Sequence, residues 1–264
     1  MCETQCFTPA TQLTQGIRPT GSRNACRERT SRSSLGGIDL SVSEDRTVQP
    51  ATVPAPVSSI ADPAPLGLAA FALTTLLLSA KNTDWMSHAT TSAWLGFAFA
   101  YGGLGQFAAG MWEFRRGNTF GATAFSSYGG FWIGLALWAE LVANPAVAAI
   151  AKAPATAAAT VTSLNHDLGW IALAFAILTF YLMILSTQVN VAVFLVFFFL
   201  DITFIVLAIG NFDAGHALLP TGIIKVGGYF GLVTALVAFY ASAAGVASNM
   251  AGRILLPVGK PLIS

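Results

Sequence analysis

Between residues 63 and 246 the chain returns six times to an apolar stretch long enough to cross a lipid bilayer, with short polar turns between. About 20 helical residues cover the hydrocarbon thickness. In lipid, every backbone N–H and C=O must find its partner within the segment, which constrains each stretch to be helical. We place the spans near 63–81, 92–114, 121–143, 167–186, 191–210 and 222–246. Any one of them taken alone also suits a long buried core helix. Six in series argue for an all-α, polytopic membrane protein. Only 9% of the residues are charged, against about 25% in soluble domains, so this chain is not built to face water.

Charge placement then orients the spans. Arg115, Arg116, Arg253 and Lys260 fall on one side of the membrane together with the six arginines of residues 1–58, while the other side holds only Lys81, Lys152 and Lys225. Positive residues mark the cytoplasmic side, so both termini are expected there, in a multi-pass protein of the plasma membrane. Residues 1–60 read as a disordered cytosolic tail, because five acids, six arginines and many hydroxyl residues cannot bury a core. Residues 61–264 form the membrane domain, with a short C-terminal tail. Cys2, Cys6 and Cys26 all lie in the N-terminal tail without metal-ligand spacing and read as free thiols. The first span opens on Asp62 as helix cap with Pro63 at the first helical position. Gly96, Ala100 and Gly103 in the second span, and Gly227, Gly231 and Ala235 in the sixth, form small-residue stripes suited to close helix packing.

Several familiar motifs are absent or misplaced. "GGLGQFAAG" (Gly102 to Gly110) lacks dinucleotide-binding spacing and lies inside a span, and no phosphate-binding loop of the Walker type occurs. His88, His166 and His216 fall in different turns or helix ends and read as single surface histidines rather than a metal cluster. Asn144-Pro145-Ala146 has no facing counterpart of the kind a water channel needs. A net charge of +1 gives no reason to expect nucleic acid. No cofactor or metal is implied.

Four blocks carry more information: "DPAPLGLAAFALTTLLL" (Asp62 to Leu78), "GNTFGATAFSSYGGFW" (Gly117 to Trp132), "LAIGN" (Leu207 to Asn211) and "GRILLPVG" (Gly252 to Gly259). In this order across six spans they resemble the microbial acetate uptake transporters, the succinate–acetate permease family. The first block matches the signature N-P-A-P-L-G-L with one departure, Asp62 in place of Asn. The resemblance implies a hexamer in which each six-helix protomer has its own pore for small monocarboxylates and often succinate. It also implies a hydrophobic constriction, which falls here on Phe71, Tyr128 and Leu200. Helical spacing puts Thr74 and Thr75 on the Phe71 face and Thr203 with Leu200, so these threonines are secondary candidates for the pathway. The Tyr128 phenol is expected to donate to a passing carboxylate. Without the resemblance, all three constriction residues read as ordinary packing.

One residue stands apart. Asp201 lies in "FFFLDITF" (Phe197 to Phe204), a run otherwise apolar, and no Lys or Arg falls at its depth. Burial of an unpaired ion is costly, so the carboxyl is expected neutral and hydrogen-bonded to a hydroxyl or carbonyl. Two readings stay open: a proton relay, as is common for intramembrane carboxylates, or a helix–helix hydrogen bond with no part in transport. Glu113 and Glu140 are expected near the headgroups at helix ends. The expected function is therefore proton-coupled transport (symport) of acetate and related short-chain carboxylates, succinate included, and not catalysis. Its partners would be the carboxylate, protons, lipid and further copies of the chain. The alternative is a membrane acetate sensor without significant flux.

Overall fold

Pro63 fixes the backbone ahead of the first helix, Pro65 lies in its first turn, and Asp62 Oδ1 accepts from the Ala64 N–H at 3.1 Å. Helix α1 then runs Ala64–Asn82, so Pro63 takes the cap position expected for Asp62, a shift of one residue. The computed structural model describes residues 60–86 and 93–263; the tail cysteines, the tail itself and His88 lie outside the described residues. The described chain is helical apart from its turns and its last residues.

Five further helices follow. Helix α2 occupies residues 93–116 and is wound as wide π-turns over Ala98–Gly105 before returning to α-geometry over Gln106–Arg116. Helix α3 runs Thr119–Ile150 and contains a second π-segment at Ala139–Ala143, directly before Asn144-Pro145. A proline inside an α-helix lacks its N–H and clashes with the preceding turn; the widened turn accommodates it, and the helix continues seven residues past the expected end at 143. Helix α4 is Ala157–Ser186, beginning ten residues earlier than expected because the alanine- and threonine-rich stretch ahead of His166 joins it. Helices α5 (Val191–Asp213) and α6 (Gly222–Ala251) begin where expected and run longer, by three and five residues. Asn190 and Thr221 cap them through their side chains, accepting from Val193 N–H and Ile224 N–H. Among the described residues, five of the six helices are individually long and apolar enough to cross a membrane; α2 is the exception.

Helix α6 packs on α1 and α5, α5 also on α4, and α2 on α1 and α3. The α6 stripe behaves as its sequence requires. A Cβ on Gly231 would come within 2.2 Å of Ser79 Oγ, and one on Gly227 within 2.8 Å of Leu207, so α1 and α5 both approach the α6 backbone there. The expected stripe on α2 does not hold. Gly96 and Ala100 face outward while Gly103 is buried. The π-turns break the 3.6-residue period on which that stripe was drawn, and α2 instead meets its neighbours through Gly102, Gly103 and Gly110. At the end where α1 stops and α6 starts, Asp84 adopts a left-handed backbone and binds Lys225 Nζ at 2.9 Å. At the opposite end the C-terminal segment folds back: Ala192 N–H donates to Val258 O, Leu262 N–H to Thr187 O, and Tyr240 Oη–H to Pro257 O.

Candidate functional site

Phe71 of α1, Tyr128 of α3 and Leu200 of α5 lie on the wall of one cavity of about 580 Å³, counted out into its mouth. None of the three is more than 4% exposed. Proceeding outward from them, the wall passes through Ala124 and Gly121 on α3 and Asn118 just before it, Leu68 and Ala64 on α1, and Val196 and Val193 on α5, to Val189 before α5. These are helix beginnings, so the mouth opens on the face where the described chain starts and ends.

The narrow end is an aromatic cluster larger than three residues. Phe71 and Tyr128 have ring centroids 5.7 Å apart, and Tyr128 also packs on Phe197 at 6.1 Å and Phe175 at 6.2 Å. Phe131 meets Phe175 at 4.7 Å and Phe204 edge-on at 5.4 Å. Tilted and edge-on pairs of this kind lock ring positions more firmly than area alone. Helices α3 and α4 touch at few points, among them the contacts of Phe175 with Tyr128 and Phe131.

The Tyr128 hydroxyl is already engaged. It lies 2.8 Å from Thr179 Oγ1, whose own proton goes to Phe175 O at 2.6 Å. A threonine has one hydroxyl proton, so Tyr128 is the donor of the pair. The Tyr128 proton, expected to go to a passing carboxylate, here holds α3 to α4. Thr179, with no exposed surface, went unnoticed as a lone threonine in "AFAILTFYLMIL".

The secondary threonines differ in kind. Thr74 bonds the carbonyls of Ala70 and Phe71 and abuts Gly102 of α2; Thr203 bonds Phe199 O and lies toward Gly231 of α6. Only Thr75, one turn beyond Phe71, keeps a buried hydroxyl without a partner. Asp201 is 5% exposed, between Phe197 and Phe204 on its stripe, and lies within electrostatic reach of the Tyr128 phenol. Its neighbours pack against α3 and α4, so it faces into the helix bundle. The expected hydrogen bond is not made at Oδ1, which is buried without a partner.

Glu140 is exposed and holds Asn144, as its position near a helix end requires. Glu113 is the larger correction. Expected near the headgroups, it has no exposed surface and stands on the cavity wall. Asn118 Nδ2 donates to its Oε2 at 2.9 Å, and Oε1 has no partner. Arg116 Nη1 is 3.8 Å from Oε2 but is hydrogen-bonded to Asp62. Arg115 and Arg116 follow Glu113 closely in sequence, but nothing there signals that Asp62, 54 positions away from Arg116, competes for the same guanidinium.

A family model for the GPR1/FUN34/yaaH family matches residues 45–260. The chain belongs to that family. Among its members, acetate permease A of Emericella nidulans is 41% identical over 201 residues, 75% of this chain; the chain spans about two thirds, 65%, of that relative. The succinate-acetate/proton symporter SatP of Escherichia coli is 34% identical over 203 residues, covering 77% of this chain and 97% of SatP. A solved structure of the bacterial acetate channel SatP superposes with a TM-score of 0.62 at 31% identity, covering 76% of this chain and 99% of that one. This family member therefore shares the architecture of a membrane channel, and the helices that build its cavity fall within the matched region.

Proposed function

We propose that this chain carries acetate and related short carboxylates, succinate among them, across the plasma membrane together with a proton. The observation that carries the reading is the convergence of Phe71, Tyr128 and Leu200 on one cavity in a chain similar to acetate transporters over most of its membrane domain. An apolar ring excludes hydrated inorganic ions by the cost of dewetting, while a methyl group passes it at less cost. Among the described residues, no Lys or Arg lines the cavity. A carboxylate on this path has no cation to hold it, which favours passage with a proton. Thr75 supplies an unused hydroxyl one turn beyond the ring, and Asp201 supplies a buried carboxyl for a relay. The transport unit is residues 61–264, assembled as a hexamer with one pore per protomer and both termini in the cytoplasm. The outward-facing Gly96 and Ala100 of α2 suit close contact between protomers.

The test is uptake of labelled acetate by liposomes holding the purified full chain, with and without an inward proton gradient. Gradient-stimulated uptake is expected. Absence of flux from correctly inserted protein would overturn the reading in favour of a sensor.

A further inference from the structure

The buried carboxyl of Glu113 has no role in the reading above. One oxygen accepts from Asn118 and the other is bare. The room it occupies exists because α3 has a glycine there: a Cβ on Gly121 would lie 3.1 Å from Glu113 Cδ. Seven residues earlier on the same face of α2, Gln106 also lines the cavity and also has a bare buried oxygen. Two acceptors without donors on one wall of a transport cavity call for something that brings a proton.

The charges facing Glu113 are few. The segment before α1 brings Asp62, and α2 itself brings Arg116. Helices α1 and α5 bring only apolar residues to this cavity, the turn before α3 brings Asn118, and α3 brings the Tyr128 phenol at the far end. Among the described residues, Arg116 is the one cation within 4 Å of the carboxylate, at 3.8 Å, and its Nη1 is committed to Asp62. A buried carboxylate whose cation is held by a competitor pays heavily for its charge, and binding a proton removes that cost. Asp62 is also the position at which this chain departs from the Asn of the family signature. An asparagine would accept from Ala64 N–H in the same way but would not compete as an anion for Arg116.

We propose that Glu113 is the proton-binding residue at the inner mouth of the pathway, and that Asp62 sets its hold on the proton by keeping Arg116 away from it. The proposal rests on the proton-coupled reading above. In the inward direction the O–H bond at Glu113 breaks, the proton passes to water at the mouth, and Glu113 is left as a carboxylate held by Asn118 until the next proton arrives.

Acetate uptake by liposomes is measured as a function of pH for the parent, Glu113→Gln, Asp62→Asn and the double variant, at matched protein incorporation. Glu113→Gln is expected to flatten the pH profile. Asp62→Asn frees Arg116 to pair with Glu113, so the profile is expected to move to lower pH by about one unit and the shift to vanish in the Glu113→Gln background. A Glu113→Gln profile like the parent's overturns the proposal. If that variant fails to assemble, Asp62→Asn decides alone, and an unmoved midpoint overturns it. A parent without flux overturns the transport reading instead.

Discussion

Replacing Gly129 with alanine places a methyl group where α2 passes close against α3. Its carbon would sit 2.6 Å from Phe107 N and 2.8 Å from both Phe107 Cα and Cβ. Two of these atoms are backbone, so no rotamer relieves the overlap. Reaching the 3.4 Å at which ordinary contact begins requires α2 and α3 to separate by about 0.8 Å at this level. Overpacking of this kind costs about 1–3 kcal/mol. Alanine also gains about 1 kcal/mol over glycine in helix propensity, which masks part of the cost. Gly130→Ala supplies the correction, since a Cβ there meets nothing within 4 Å. The difference between the two variants, measured by titrating purified protein with a denaturing detergent, is expected to be about 1–3 kcal/mol in the direction of a weaker Gly129→Ala. Because Phe107 adjoins Gln106 on α2 and Gly129 adjoins Tyr128 on α3, acetate uptake by Gly129→Ala should fall as well. Variants that agree within about 0.5 kcal/mol would refute the close approach of α2 and α3.

Phe71→Ala or Leu200→Ala should widen the narrow end of the cavity and admit larger acids such as lactate or succinate more readily, read as competition against labelled acetate. Tyr128→Phe and Thr179→Val each break the α3–α4 hydrogen bond and should each cost about 1 kcal/mol in detergent unfolding, with the double variant costing little more than either single change. Asp201→Asn keeps shape but cannot titrate; a relay predicts lost dependence of uptake on a proton gradient, whereas unchanged dependence would leave Asp201 a packing residue. Deletion of the residues before Ile60 should leave acetate uptake intact at equal membrane abundance.

Helix number, order and the small-residue face of α6 were legible because hydropathy and glycine spacing report directly on lipid and on a straight neighbouring helix. The stripe on α2 was not, since "AFAYGGLG" gives no local sign of π-turns and the 3.6-residue period was carried through them. The ring of Phe71, Tyr128 and Leu200 was drawn from resemblance alone; nothing in its spacing separates it from packing. Thr179 and Glu113 escaped for a different reason. Each acquires its setting from a residue distant in sequence, Tyr128 in one case and Asp62 in the other, and side chains joined across 50 or so positions leave no periodic trace.

The wide turns of α2 bear on how this chain can change in length. A π-turn bonds i to i+5, so it holds one residue more than an α-turn needs to cover the same path. Segment 98–105 therefore contains slack: losing a single residue there returns the turn to α-geometry while the helix on either side keeps its facing, and Gln106 and Glu113 stay on the cavity wall. The same deletion in α5, which has no such turn, rotates everything beyond it by about 100°. Made between Asn190 and Leu200, it would carry Leu200 off the cavity and Asp201 out of its stripe. Single-residue length variation is thus expected to be tolerated in 98–105 and to abolish transport in α5.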